Sequence, residues 1–157
     1  MRRSLAGLVA IAAAAVMLVG CASIPADPDG TLDRVQGGTL RVGFTENAPW
    51  VELPEDGEPT GIEPDLVRAF AERIDAEVEW TQGSETRLAD ALEDGELDLV
   101  VGGLLDDTPW VESAATTRPY AEIATADGTE RHVMLTPMGE NALLVALETF
   151  LDEEAAG

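Results

Sequence analysis

From Thr39 onward the apolar positions fall into short stretches whose period switches between two and about 3.6 residues. Thr39–Phe44 is predicted as a first, buried strand. Glu46–Gly61 carries Pro49, Pro54, Gly57, Pro59 and Gly61 and reads as a loop or loose hairpin. Pro64 opens a helix, where its missing N–H would be unpaired anyway, and Leu66, Val67, Phe70 and Ile74 line one face. In Ala76–Thr81, Val78 and Trp80 alternate with Glu77 and Glu79, as in a half-exposed strand near a sheet edge. Ser84 is placed to cap a helix carrying Leu88, Ala91 and Leu92, which stops at Gly95. Leu97–Val101 is an apolar strand ending in Gly102–Gly103, and Leu104–Arg118 is mostly loop with a helical turn after Pro109. Tyr120–Ala126 and Arg131–Pro137 are strands joined through an Asp127–Gly128 turn. Asn141 caps a last helix that buries Leu143, Leu144, Leu147, Phe150 and Leu151, and Asp152–Gly157 frays. Ahead of these, Thr31–Val35 fits one helical turn capped by Thr31 and broken by Gly37–Gly38. Strands alternating with helices predict an α/β fold, with a mostly parallel sheet and helices on both faces.

The N-terminus follows a different pattern. Arg2 and Arg3 precede an uncharged, Ala/Leu/Val-rich run from Leu5 to Val19, which suits a signal-peptide core and is short for a membrane span. It ends in Leu18–Val19–Gly20–Cys21, and Cys21 is the sole cysteine, so no internal disulfide is expected. This ending resembles the lipobox of bacterial lipoproteins. The resemblance implies cleavage before Cys21, lipid (diacylglyceryl and palmitate-type acyl chains) on its thiol and amine, and a cell-membrane, extracytoplasmic location. Ala22–Gly30, with Pro25, Pro28 and Gly30, then reads as a flexible tether.

Charge narrows the partners. Nine Arg and no Lys face 31 acidic residues, for a net charge of −22. That field repels nucleic acid and anionic head groups and mildly favours cationic ligands. Acidity of this kind also serves plain solubility. Cofactors and metals are not expected: there is no phosphate-binding Gly loop, no thiolate cluster and no regular spacing of oxygen ligands around Asp106, Asp107 and Glu112. No Ser-His-Asp set exists, and His132, the one histidine, reads as an edge or packing residue, so an enzyme is not expected.

Several segments, in order, resemble the bacterial extracellular solute-binding proteins of family 3, which serve ABC transporters. They are Thr31–Val35 with Gly38–Gly43; Asn47–Ala48–Pro49–Trp50–Val51; Gly61–Ile62–Glu63–Pro64–Asp65–Leu66; Ala91–Asp98; Gly102–Gly103; and Arg118–Pro119–Tyr120. The resemblance implies a periplasmic-binding-protein type 2 fold, whose two α/β lobes close on a ligand. Only Ala121–Glu130 separates Tyr120 from the returning segment, too little for a second lobe. The expectation is therefore a single three-layer lobe over residues 39–151, built from 39–120 and 131–151, with the second lobe missing. A signal peptide at 1–20, a lipidated tether at 21–38 and a tail at 152–157 flank it.

The resemblance places ligand contacts at Trp50, Gly102, Gly103, Asp107, Thr108 and Trp110. Where the family carries an Arg for the ligand carboxylate, this chain has Trp110, and Asp107 stands in place of the family's Thr. A carboxylate-directed grip is thus not expected. A cationic solute stacked on Trp50 and Trp110 and paired with Asp107 is one reading; the other is that both Trp side chains are packing residues. Two functions follow. One is a membrane-anchored substrate-binding component, or a reduced relative, for amino acids or other small polar or cationic solutes, with an ABC permease as partner. The alternative is a surface lipoprotein that uses the lobe as a protein-interaction module.

Overall fold

The computed structural model describes residues 27–55 and 57–156. The signal segment, Cys21 and the start of the tether lie outside the described residues. In chain order the elements are α1 (Thr31–Val35), β1 (Thr39–Phe44), α2 (Ile62–Arg73), β2 (Glu77–Gln82), α3 (Glu85–Glu93), β3 (Leu99–Leu105), a 3₁₀ turn (Pro109–Glu112), β4 (Ala114–Thr116), β5 (Ala121–Thr125), β6 (Gly128–Pro137) and α4 (Asn141–Ala156).

One six-stranded sheet runs β2-β1-β3-β6-β4, with β5 also paired to β6. β1 is parallel to both β2 and β3. β6 is antiparallel to β3, β4 and β5. The sheet is therefore mixed, its parallel part confined to β2-β1-β3. The α-helical crossovers α2 and α3 enforce parallel pairing there, whereas the later strands turn back through a hairpin and must pair antiparallel.

Period-two alternation splits the core between the two faces. Leu40, Val42 and Phe44 of β1, Leu99 and Val101 of β3, and Met134 of β6 face α2 and α4, meeting Val67, Phe70, Leu143, Leu147 and Phe150. Val100, Leu104, Val133 and Leu135 face the other way, onto Leu88 and Leu92 of α3. Phe70, 1% exposed, packs on Phe150 with ring centroids 5.6 Å apart. Burying such a ring contributes roughly 1.5–3 kcal/mol. The result is three layers with helices on both sides of the sheet. Among the described residues no helix is long and apolar enough to cross a membrane.

Several local details depart from the pattern-based reading. Helix α1 is not capped by the Thr31 side chain: Asp27 Oδ2 accepts from Leu32 N at 2.8 Å, and Glu140 Oε2 accepts from Thr31 N at 3.1 Å. Ser84 makes no side-chain cap bond to α3. β3 runs on through Gly102–Gly103 to Leu105, because β6 offers it a partner at Leu104 and Leu105. β4 lay hidden in a stretch read as loop; it exists because Ala114–Thr116 meets Leu135–Pro137. The hairpin closes on Thr125–Gly128, so Ala126 and Asp127 form the turn, one residue earlier than the Asp–Gly signal suggested. Helix α4 continues to Ala156 instead of fraying at Asp152. Arg73 and Arg118 pair with Glu153 and Asp152 and tie that last stretch down.

Candidate functional site

The C-terminal ends of β1 and β3 meet a single buried acid. Glu63, the second residue of α2, is 0% exposed. Gly102 N–H donates to its Oε2 at 2.7 Å and Gly103 N–H to the same oxygen at 2.8 Å. The Tyr120 hydroxyl donates to Oε1 at 2.5 Å. Three donors and the positive end of α2 satisfy the carboxylate where no water reaches it. Burial nevertheless raises the Glu63 pKa; the Tyr120 hydroxyl and the two glycine amides pull in the opposite direction. The Tyr120 hydroxyl is pushed up in turn, by its own burial and by the neighbouring charge of Glu63.

Trp50 forms the roof of this cluster. It is 7% exposed, edge-on to Tyr120 at 6.1 Å and stacked against His132 at 3.7 Å between centroids. Its carbonyl accepts from Glu63 N at 3.0 Å. Two glycines permit this closeness. A Cβ on Gly61 would sit 2.8 Å from the Trp50 carbonyl oxygen, and one on Gly103 would sit 2.6 Å from both Asn47 Nδ2 and Trp50 Cδ1. Gly103 also has φ +66°, a region that side-chain-bearing residues seldom enter. Asn47 Nδ2 donates to the Gly102 carbonyl at 2.9 Å and ties the β1 loop to the same turn.

His132 is 2% exposed, and among the described residues neither ring nitrogen has a partner with good hydrogen-bond geometry, the Gly103 backbone lying nearest. Burial lowers its pKa, against the pull of Glu130 3.8 Å away. It is neutral packing under Trp50.

The structure thus brings Trp50, Gly102 and Gly103 together and separates them from the other sequence candidates. Trp50 is closed off by Tyr120 and His132, so its ring is not presented for stacking on a ligand. Trp110 lies on the opposite face of the sheet, packed against the α3 cluster, with Nε1 donating to Glu85 Oε2 at 3.2 Å. The pairing of Trp50 and Trp110 over one cation is therefore corrected: the two rings flank different faces. Asp107 is exposed and borders a shallow hollow of about 160 Å³ beneath the β5–β6 turn. Thr108 is 8% exposed and its hydroxyl has no partner among the described residues. Among 31 acids, composition alone does not mark Glu63 as the buried one. Its position before Pro64, behind a glycine that starts a helix, was the available signal.

The face above this cluster is open. Glu46–Pro49, Ser84, Glu85 and Asp107, which follow β1, β2 and β3, are all exposed. Glu46, Glu85 and Asp107 outnumber the one exposed guanidinium beside them, Arg87, and Arg131 is paired with Asp106. Among the described residues no group of three or more His, Cys, Asp or Glu is arranged to hold a metal ion.

This combination of a mixed sheet, helices on both faces and a glycine turn beneath an open C-terminal face defines one lobe of a periplasmic-binding-type 2 domain. Residues 40–156 match the bacterial extracellular solute-binding proteins, family 3, and the chain belongs to that family. The arginine-bound domain 1 of TmArgBP, in a point-mutant form, has a similar fold, with TM-score 0.73 and 20% identity over 80% of this chain and 99% of that one. The L-cystine solute receptor of Neisseria gonorrhoeae gives 0.66 and 15% over 80% and 91%. An ancestral cationic amino acid solute-binding protein gives 0.71 and 15% over 80% and 94%. Among curated proteins, membrane-bound lytic murein transglycosylase F of Vibrio cholerae is 34% identical over 91 residues, 57% of this chain. Its counterpart in Vibrio campbellii is 31% identical over 93 residues. The match spans only 17% of either relative's length.

Proposed function

We propose that this chain is a lipid-anchored, extracytoplasmic solute-binding lobe, serving an ABC permease for amino acids or other small polar or cationic solutes. The observation that carries this reading is the set of exposed, acid-bearing loops at the C-terminal ends of β1, β2 and β3, in a member of a solute-binding family. The lost family Arg, replaced by Trp110, argues against a carboxylate as the main handle. Exposed Glu46 and Asp107 suit an ammonium or guanidinium group. Small-molecule capture is supported by the arginine bound to domain 1 of TmArgBP, a protein of the same fold. A thermal-shift panel of arginine, polyamines, betaines and neutral amino acids tests it. Stabilisation by cationic members supports the reading; no shift at millimolar concentration across the panel would count against solute capture.

Anchoring rests on Leu18–Cys21 and the apolar run before it. Labelling with a fatty-acid analogue should mark the parent chain and leave Cys21→Ala unmarked; equal labelling would remove the lipid-anchor reading. This chain carries out no reaction in either reading.

The transglycosylase relatives favour a second reading, in which the lobe is a recognition module in cell-wall proteins rather than a transport component. Murein peptides added to the same panel, and cross-linking in membranes, separate the two. A protein partner with no small ligand selects the module.

A further inference from the structure

Every residue from Glu122 to Arg131 is exposed, yet β5 and the start of β6 form a regular ladder. A two-stranded ribbon with no buried face is marginal in water, and a third strand stabilises it. The ribbon rises beyond the end of β3, where Asp106 N–H donates to the Arg131 carbonyl at 2.9 Å, so it stands beside the open face. Among the described residues its outer edge has no strand partner, since β5 pairs there with β6 alone. The opposite edge of the sheet, β2, carries Glu77 and Glu79, the kind of charge that discourages strand addition. β5 instead exposes Ile123, and its one acid, Glu122, lies opposite Arg131.

The backbone pattern of that edge is self-complementary. The two-residue turn makes Thr125–Gly128 a hydrogen-bonded pair, and antiparallel alternation then points the N–H and C=O of Glu122 and Ala124 outward. A two-fold axis at Ile123 sets Glu122 against Ala124 of another copy, Ala124 against its Glu122, and Ile123 against itself. All four outward groups find partners and no two charges stand directly opposite. The same register brings Asp127 of each turn to Pro119 of the other copy, next to Arg118, which is paired with Glu148 and Asp152 and still 61% exposed.

We propose that β5 pairs antiparallel with β5 of a second copy, so that two lobes flank one four-stranded ribbon and the second copy walls the open face of the first. That last clause rests on the reading of the open face as a solute site; the strand pairing does not. Each copy carries −22, so association strengthens as salt screens the repulsion.

The test uses the full chain in membranes under mild oxidation. Ile123→Cys places two thiols at a non-hydrogen-bonded pair about 4.5 Å apart between Cα atoms, within disulfide reach. Thr129→Cys on β6 and the parent chain, with Cys21 alone, are the controls. A dimer band for Ile123→Cys well above both controls, and lost when Ala124→Pro is added, supports the pairing. Proline at Ala124 removes only an outward N–H, as edge strands tolerate, and an unchanged melting temperature confirms that the lobe still folds. Equal bands at 123 and 129, or no band at either, overturn the pairing. A cross-linked dimer whose Ala124→Pro monomer keeps the full solute response overturns the second wall alone. Silence of the parent chain toward every solute removes the solute reading and leaves the pairing to be judged by the cross-link.

Discussion

Tyr120 donates its hydroxyl proton to Glu63 at 2.5 Å, joining the strand that leads into the hairpin to the first turn of α2. With the amides of Gly102 and Gly103 on the other oxygen, the carboxylate holds three segments in one place. Tyr120→Phe removes one donor from a buried charge and should cost about 1.5–3 kcal/mol in urea denaturation. Glu63→Ala orphans two amides, that of Gly102 buried and that of Gly103 partly so, and should cost about 3 kcal/mol or more, with Glu63→Gln falling between the parent and the alanine variant. Equal losses for Gln and Ala would show that acceptor geometry is not what Glu63 supplies.

Two buried groups should leave opposite marks on stability against pH. Burial raises the Glu63 pKa, so the folded state holds that proton more tightly than the unfolded one. Its contribution is greatest at low pH and declines as pH rises from the ordinary Glu range through the raised value. His132 is lowered by burial, so its contribution is present above its ordinary value of 6.5 and is lost as pH falls through the lowered one. Unfolding free energies of Glu63→Gln and His132→Gln across this range should each lack one of the two slopes. A parent-like slope in either variant assigns that limb to another group.

At the far end of the strands, Asp98 is fully buried beneath Arg34 and Arg41. Burial pushes its carboxyl up, but the hydrogen bonds from Arg41 and Arg34 outweigh this and hold the pKa below the usual range. Asp98→Asn should cost about 2–3 kcal/mol, less than a fully enclosed pair, because both guanidinium groups keep partial access to water. The stability supplied by Asp98 is present above pH 3.8 and lost as pH falls through its depressed value, so the variant should show a flatter acid limb. An unchanged acid limb would mean that the pair does not persist in solution.

Gly103→Ala tests the roof of the site. The added Cβ meets Asn47 and Trp50 at 2.6 Å in a backbone conformation with φ +66°. The expected loss is about 1–3 kcal/mol, with a shift in tryptophan emission as Trp50 is displaced. Emission identical to the parent would place the strain elsewhere.

The apolar periods along the chain determined the helices α2, α3 and α4, the strand β1 and the three-layer plan, because burial of one face imposes its period on the sequence that makes it. Ordered short motifs such as Gly61–Leu66 and Arg118–Tyr120 carried the family. Sequence alone did not reach the features that depend on distant partners. β4 forms only because β6 passes beside it. Trp110 turned to the α3 face while Trp50 closed over Glu63, although both read alike as aromatic residues in loops. Glu63 is one acid among many until Gly102, Gly103 and Tyr120 converge on it from 39 to 57 residues away. The reason is physical: a period records how a segment meets water, whereas a hydrogen bond between remote segments leaves no period in either of them.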